Sequence, residues 1–340
     1  MKSKNSLQAA VIGVGSMGRN HARVYNEMPD AELAAVVDLD EALVNETARL
    51  RGAPGYTDYR AMLAEVEPDA VTVAVPTQAH HQVVLDALEA GCHVLVEKPI
   101  AATLDEGRGM IERAAELERV LAVGHIERYN PAVIELKRRL GSGMLGQIFQ
   151  IHARRLGPFP ARVRDVGVIV DLAPHDLDIM CYLTGKRVRR LYAETEQEIH
   201  TDHEDLFSGM IRFEDGVLGI LNINWLTPTK IREITVTGQR GMFLANLLTQ
   251  DLYFYENAQA DGLDWNHLSL LRGVGEGEMV RLRLNRREPL RAELEAFVSA
   301  ARGESDEIVS GADGLEALRL AQALVQSGRE NRLVEVDLLV

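Results

Sequence analysis

Cysteine is nearly absent from this 340-residue chain. Cys92 and Cys181 are too few for a disulfide framework, and neither sits in a CxxC or Cys/His pattern with metal-ligand spacing. Long apolar runs are missing as well. The stretch Ala9–Val14 is far shorter than the roughly 20 residues a membrane span needs, and the polar start Met1–Leu7 does not resemble an export signal. Cations are in the minority, with 37 Lys and Arg against 51 Asp and Glu, a net charge of −14. A duplex-binding protein presents a basic field to phosphates, so nucleic acid is a poor candidate for the main ligand. Aromatic residues are only 5% of the chain, and Trp225 and Tyr253-Phe254-Tyr255 lie in strand-like segments, where sheet packing explains them better than base stacking. The absences leave a globular, cytoplasmic protein, with no membrane association and no metal site, as the expectation.

The apolar fraction of 46% and charged fraction of 26% are those of a globular chain, and the length suits roughly two domains. From Gln8 to Gly124, apolar runs at Ala9–Val14, Leu33–Val37, Ala70–Val75, Val94–Val96 and Leu121–Val123 alternate with helical patterns at Met17–Glu27, Glu41–Arg51, His80–Ala90 and Leu104–Glu118. Repeated strand–helix–strand units predict a doubly wound parallel sheet, an α/β Rossmann domain over residues 1–124. Residues 125–340 predict an α+β domain with an open, mostly antiparallel sheet. Its helices are expected at Pro131–Leu140, Pro174–Leu183, Leu290–Ala301 and Gly314–Gln326. Its strands are expected at Ile148–Arg154, Leu191–Glu198, Leu206–Phe213, Val217–Trp225 and Glu233–Thr237, with a hairpin turn at Glu214-Asp215-Gly216.

Gly13-Val14-Gly15-Ser16-Met17-Gly18 follows the first strand and opens the first helix, the context in which GxGxxG signals dinucleotide binding. Gly13 makes the tight turn, Gly15 lets the backbone approach a pyrophosphate, and Gly18 lets helix pack on strand, while Ser16 and Met17 start the helix whose N–H groups meet the anion. Asp38 ends the second strand 20 residues after Gly18, the spacing of the acid that accepts from ribose hydroxyls. A carboxylate there favours NAD over NADP, and Leu39, Asp40 and Glu41 supply no arginine for a 2′-phosphate. The plain alternative for Asp38 is a helix N-cap. Strand ends in such a sheet line the ligand crevice, which draws attention to Thr77 and His80 after the fourth apolar run's predecessor and to Glu97-Lys98-Pro99 after the next. In the second half Asp171 and His175 stand at i, i+4 beside Pro174, which starts or kinks a helix, so both can share one helix face.

With these motifs in this order, the chain resembles the glucose-fructose oxidoreductase / inositol dehydrogenase (Gfo/Idh/MocA) family along nearly its whole length. The resemblance implies an NAD-binding Rossmann domain and a second domain whose open sheet commonly joins subunits, hence a homodimer or homotetramer. It also implies Lys98 and His175 as catalytic residues, and Asp171 as a group that positions substrate or supports His175. The family often has a glycine shortly after that Asp, where this chain has Leu172-Ala173-Pro174. Oxidising a secondary alcohol removes a hydroxyl proton as hydride leaves. An imidazole with a pKa near 6.5 suits the proton, and a preorganised ammonium suits the developing alkoxide.

Gly124-His125-Ile126-Glu127-Arg128-Tyr129-Asn130-Pro131 and the arginine-rich stretch from Arg154 to Asp165 resemble the nucleotide-sugar branch that oxidises the C3 hydroxyl of UDP-N-acetylglucosamine ahead of transamination. Arg154, Arg155, Arg162 and Arg164 form a basic island suited to diphosphate oxygens. Arg128, Asn130, Arg155, Arg162 and Asp171 are the expected substrate contacts. The plain alternative is that some of these arginines pair with acids of the chain. A UDP-sugar uronate, inositol or a free sugar are the other substrates considered, and a non-catalytic NAD-responsive regulator is the alternative without chemistry.

Overall fold

The computed structural model describes residues 6–160, 166–199, 203–257 and 276–336. The chain forms two compact units, Met1–Tyr129 with Arg287–Arg319, and Asn130–Arg286 with Leu320–Val340. The expected division at residue 124 is contiguous, whereas these units are not: the chain returns to the first unit late in its length.

Six parallel strands make the sheet of the first unit: β1 (Leu7–Ile12), β2 (Ala31–Val37), β3 (Gly55–Tyr56), β4 (Ala70–Val73), β5 (His93–Glu97) and β6 (Leu121–Gly124), in the order β3-β2-β1-β4-β5-β6. Ala9, Ala10, Val11, Val71 and Val94 are fully buried, as befits strands covered on both faces. The connecting helices are α1 (Ser16–Glu27), α2 (Glu41–Arg51), α3 (Tyr59–Val66), α4 (Thr77–Glu89) and α5 (Leu104–Glu116). Asp40 caps α2 through Ala42 and Leu43 N–H groups, and Thr103 with Glu106 closes a capping box on α5. The sequence pattern missed β3 and α3 because both are too short to show a period. Leu290, Leu294, Phe297 and Val298, late in the chain, join the core containing Val24 and Tyr25 of α1, which accounts for the return of residues 287–319 to this unit.

The second unit carries a nine-stranded sheet. Its strands are β7 (Ile148–Pro158), β8 (Val188–Glu196), β9 (Leu206–Phe213), β10 (Leu218–Asn224), β11 (Leu226–Gly238), β12 (Gly241–Asn246), β13 (Asp251–Asn257), β14 (Glu276–Leu282) and β15 (Val334–Glu335). They lie in the order β14-β13-β12-β11-β7-β10-β9-β8-β15. Among the described residues only the β7–β10 ladder is parallel, so the sheet is mostly antiparallel, as expected. The Asp-Gly turn joins β9 to β10, with Gly216 at φ 90° and its N–H on the Phe213 carbonyl. Ile151, Ala153, Leu221, Phe243 and Phe254 point to one face, where they share a core with Leu136 of α6 (Pro131–Gly141) and Ile179 of α7 (Val168–Thr184). Trp225 and Phe254 are buried in this sheet, Trp225 edge-on to Phe159 at 5.5 Å, so the aromatics serve packing. The opposite face is partly exposed and carries a polar row, His152 Nε2 to Asn222 Oδ1 at 2.6 Å and Asn222 Nδ2 to Ser208 Oγ at 3.0 Å.

Helix α7 corrects the expected start at Pro174. It begins six residues earlier and takes Pro174 into its interior. Glu204 makes the early start possible: its carbonyl accepts from Val168 N–H at 2.9 Å and its carboxylate from Ile169 N–H at 3.3 Å, satisfying donors that no nearby side chain caps. Toward its middle, Asp176 accepts from Arg155 Nε at 2.8 Å and Nη2 at 3.0 Å, with side chains only 3% and 4% exposed. This two-point ion pair ties α7 to β7 inside the core. Removing one partner strands a buried charge, so Asp176→Ala should lower unfolding stability by about 3–5 kcal/mol. Urea unfolding followed by circular dichroism measures this, and a loss below about 1 kcal/mol would mean the pair contributes no more than an exposed one.

Candidate active site

The order of the first sheet reverses between β1 and β4, and ligand crevices in such sheets open beyond the carboxyl ends of the strands at that point. The glycine loop sits there. Gly13 has φ 89°, and a side chain on it would lie 2.6 Å from the Ala74 carbonyl oxygen. A Cβ on Gly18 would lie 1.7 Å from the Gly13 carbonyl oxygen, so only glycine lets α1 approach this loop. At Gly15 a Cβ would meet nothing within 4 Å, leaving open space over the loop. Gly15 is also the N-cap of α1, with no side chain bonded to the first-turn donors, and Ser16 and Met17 are exposed at that end. A pyrophosphate fits this cradle: the approach is open and the donors are backbone N–H groups.

Asp38 leaves β2 toward the same loop. Its Oδ2 accepts from Val14 N–H at 2.8 Å and its Oδ1 from Asp40 N–H at 3.1 Å. The N-cap of α2 is Asp40, so capping does not explain Asp38. A carboxylate braced by the glycine loop and directed along the β2 end fits ribose hydroxyls, and it repels a 2′-phosphate.

Beyond β4, Thr77 is the first residue of α4 and is half-buried. His80, expected at the cofactor, is instead buried with Nδ1 3.0 Å from the Pro99 carbonyl and Nε2 2.9 Å from the Val75 carbonyl. Burial pushes its pKa below the ordinary imidazole value. Both ring nitrogens face backbone, so His80 braces the loops after β4 and β5. Glu97 also has an internal partner. Its Oε1 lies 2.7 Å from His21 Nε2, and only 13% of its side chain is exposed. Lys98 follows it, half-buried at the end of β5. His21 escaped the sequence reading, although a signal existed: it stands with Gly18, Ala22, Val24 and Tyr25 on the buried face of α1, a polar ring at an apolar position.

In the second unit Asp171 and His175 both lie within α7, four positions apart, so they share one face, and both are partly exposed. The arginines fare differently. Arg155 is held by Asp176 inside the core and is not a surface cation for phosphate. Arg154 is 43% exposed and pairs with Glu233 at 3.1 Å. Arg162 and Arg164 lie outside the described residues. Arg128, in the first unit, is mostly buried and pairs with Asp313 at 3.2 Å. Asn130 is buried; its Oδ1 caps α6 through Ala132 N–H at 3.1 Å and its Nδ2 donates to the Leu247 carbonyl at 2.9 Å. Arg128, Asn130 and Arg155 therefore have internal partners that sequence spacing could not reveal. Among the described residues, no group of three or more His, Cys, Asp or Glu could hold a metal ion, and no helix is long and apolar enough to cross a membrane.

Comparison with known proteins gives the family. The family model for the oxidoreductase family with an NAD-binding Rossmann fold, GFO/IDH/MocA, matches residues 7–125, and the model for the GFO/IDH/MocA C-terminal domain matches residues 133–244. The chain is 30% identical to the UDP-N-acetylglucosamine 3-dehydrogenase of Acidithiobacillus ferrooxidans, over 93% of this chain and 95% of the relative. It is 29% identical to the D-glucoside 3-dehydrogenase of Escherichia coli, over 98% of this chain and 99% of the relative. The solved structure of the Acidithiobacillus enzyme superposes with a TM-score of 0.84 at 29% identity, covering 95% of this chain and 97% of that one. A glycine cradle for NAD, braced strand-end loops and whole-length similarity identify the chain as a member of the GFO/IDH/MocA family, an NAD-type oxidoreductase of sugars or polyols.

Proposed function

We propose that the protein oxidises the C3 hydroxyl of UDP-N-acetylglucosamine to the 3-keto sugar, with NAD as hydride acceptor, in the formation of an amino sugar. One observation carries the reading: nearly the whole chain is similar, in sequence and in fold, to a UDP-N-acetylglucosamine 3-dehydrogenase. The name of the Escherichia coli relative also places oxidation at position 3.

Bound NAD supplies the carbon that accepts the hydride. The chain supplies the rest. Backbone donors at Gly15 to Gly18 hold the pyrophosphate, and Asp38 accepts from the ribose hydroxyls. Lys98 stabilises negative charge on O3 as the hydride departs, an interaction stronger in the transition state than in the ground state. His175 takes the O3 proton, and Asp171, one turn earlier on the same helix, orients the imidazole or a sugar hydroxyl. Thr77 at the start of α4 completes the cofactor set.

A second reading, oxidation of a simple glucoside at C3, is favoured by Arg155. With that guanidinium bound to Asp176, the described residues offer a diphosphate fewer cations than the sequence pattern suggested. Assembly through the partly exposed face of the second sheet belongs to the proposal. Met210 is 51% exposed, and Leu218, Ile220, Leu244 and Tyr253 are half-buried at outward positions on its strands, a surface suited to a second copy.

Incubation with NAD and UDP-N-acetylglucosamine should yield a product lighter by two hydrogen atoms in mass spectrometry. Turnover of a methyl glucoside or myo-inositol with no conversion of the nucleotide sugar would replace the substrate. Lys98→Ala and His175→Ala should each lower the hydride-transfer rate by roughly tenfold or more while NAD still binds; stopped-flow absorbance with calorimetric NAD titration checks both, and near-normal turnover in either variant removes that residue from the mechanism. Calorimetry should also show tighter binding of NADH than of NADPH, a preference that Asp38→Ala narrows; tighter NADPH binding by the unaltered protein would refute the role of Asp38.

A further inference from the structure

His21 is fully buried on the inner face of α1, and a polar ring in that position is costly unless bonded. Its bond reaches 76 positions along the chain, from Nε2 to Glu97 Oε1 at 2.7 Å. The Glu97 carboxylate is confined on another side by Gly124: a Cβ there would lie 3.1 Å from both Glu97 Cδ and Oε2, closer than the carboxylate tolerates without moving. Burial by itself would raise the Glu97 pKa. The His21 hydrogen bond and charge, followed by the Lys98 charge and backbone N–H, outweigh burial and hold it below the usual carboxylate range. Glu97 is therefore an anion at neutral pH, and His21 and Lys98 are the groups that answer it. On the far side of Lys98, the Pro99 carbonyl meets His80 Nδ1 at 3.0 Å.

We propose that His21 is a positioning residue for Lys98, acting by holding the Glu97 carboxylate so that the Glu97-Lys98-Pro99 segment keeps its place at the end of β5. The inference rests on the reading of Lys98 as the group that stabilises the substrate oxygen. Without the imidazole, stabilisation of the Glu97 anion falls on Lys98, which draws the ammonium toward the carboxylate and away from the place it needs for the substrate oxygen. The same bond joins the helix that receives the pyrophosphate to the segment that carries the ammonium, so cofactor cradle and catalytic cation share one brace.

The test uses the NAD-saturated full-length protein and needs no substrate for its first readout. Trace acetylation of the Lys98 amine by acetic anhydride, quantified by peptide mass spectrometry, should slow by about threefold or more in His21→Leu, because a nitrogen held against the carboxylate is less accessible to the reagent. His21→Gln keeps an amide donor for Glu97 and should return acetylation to within about twofold of the unaltered protein. Gly124→Ala, which presses on the same carboxylate, should shift Lys98 acetylation even if His21→Leu does not fold. With whichever sugar is turned over, His21→Leu should lower kcat by roughly tenfold while the NAD Kd moves by less than about threefold, and His21→Gln should recover most of the loss. Unchanged Lys98 acetylation in both His21→Leu and Gly124→Ala would overturn the proposal, as would a loss that His21→Gln does not repair. Inactivity toward UDP-N-acetylglucosamine with altered Lys98 acetylation would sink the substrate and leave the positioning role standing.

Discussion

A side chain at position 18 would lie 1.7 Å from the Gly13 carbonyl oxygen, and much of the first unit depends on that prohibition. With glycine there, α1 lies against the β1 loop and its uncapped N-terminus opens onto the space above Gly15. The same approach brings the inner face of α1 down on the sheet, where Tyr25 bonds Thr72 at 2.9 Å and His21 reaches Glu97. The apolar residues of Pro289–Ala301 pack into the same core as Val24 and Tyr25 of α1. Cofactor cradle, buried His–Glu bond and the late return of the chain thus follow from one close helix–strand contact.

Net charge bears on the ligand less than it first suggests. A chain at −14 would repel a dinucleotide if recognition needed an excess of cations. In the glycine loop the donors are backbone N–H groups oriented by a helix, which carry no formal charge and need no lysine or arginine. The described cations of the substrate motifs behave in the opposite way. Arg128 and Arg155 are neutralised internally by Asp313 and Asp176, so these guanidinium groups stabilise the units that contain them.

Spacing after the last glycine, the end of a strand and a shared helix face drew attention to Asp38, Lys98, Asp171 and His175, but the roles proposed for Lys98, Asp171 and His175 come from the family resemblance and not from these local rules. The doubly wound sheet was legible because its buried strands and amphipathic helices repeat a pattern. Less visible were β12, β13 and β14, whose strand character emerges from pairing in a ladder, and α3, which is short. The start of α7 was missed because its cap is Glu204, distant in sequence, while Pro174 gave a local signal that packing overrode.

By itself, then, the chain's order of residues determined which of the longer segments become strand or helix in the first unit, where an anion meets backbone donors, and which residue types stand at strand ends. Periodicity, glycine placement and spacing are local properties, present before any folding. Only the tertiary structure decided what each polar side chain is bonded to: His21 to Glu97, Arg155 to Asp176, Arg128 to Asp313, Asn130 to Leu247. These partners lie between 21 and 185 positions apart, and a hydrogen bond is set by distance in space, which linear spacing does not encode.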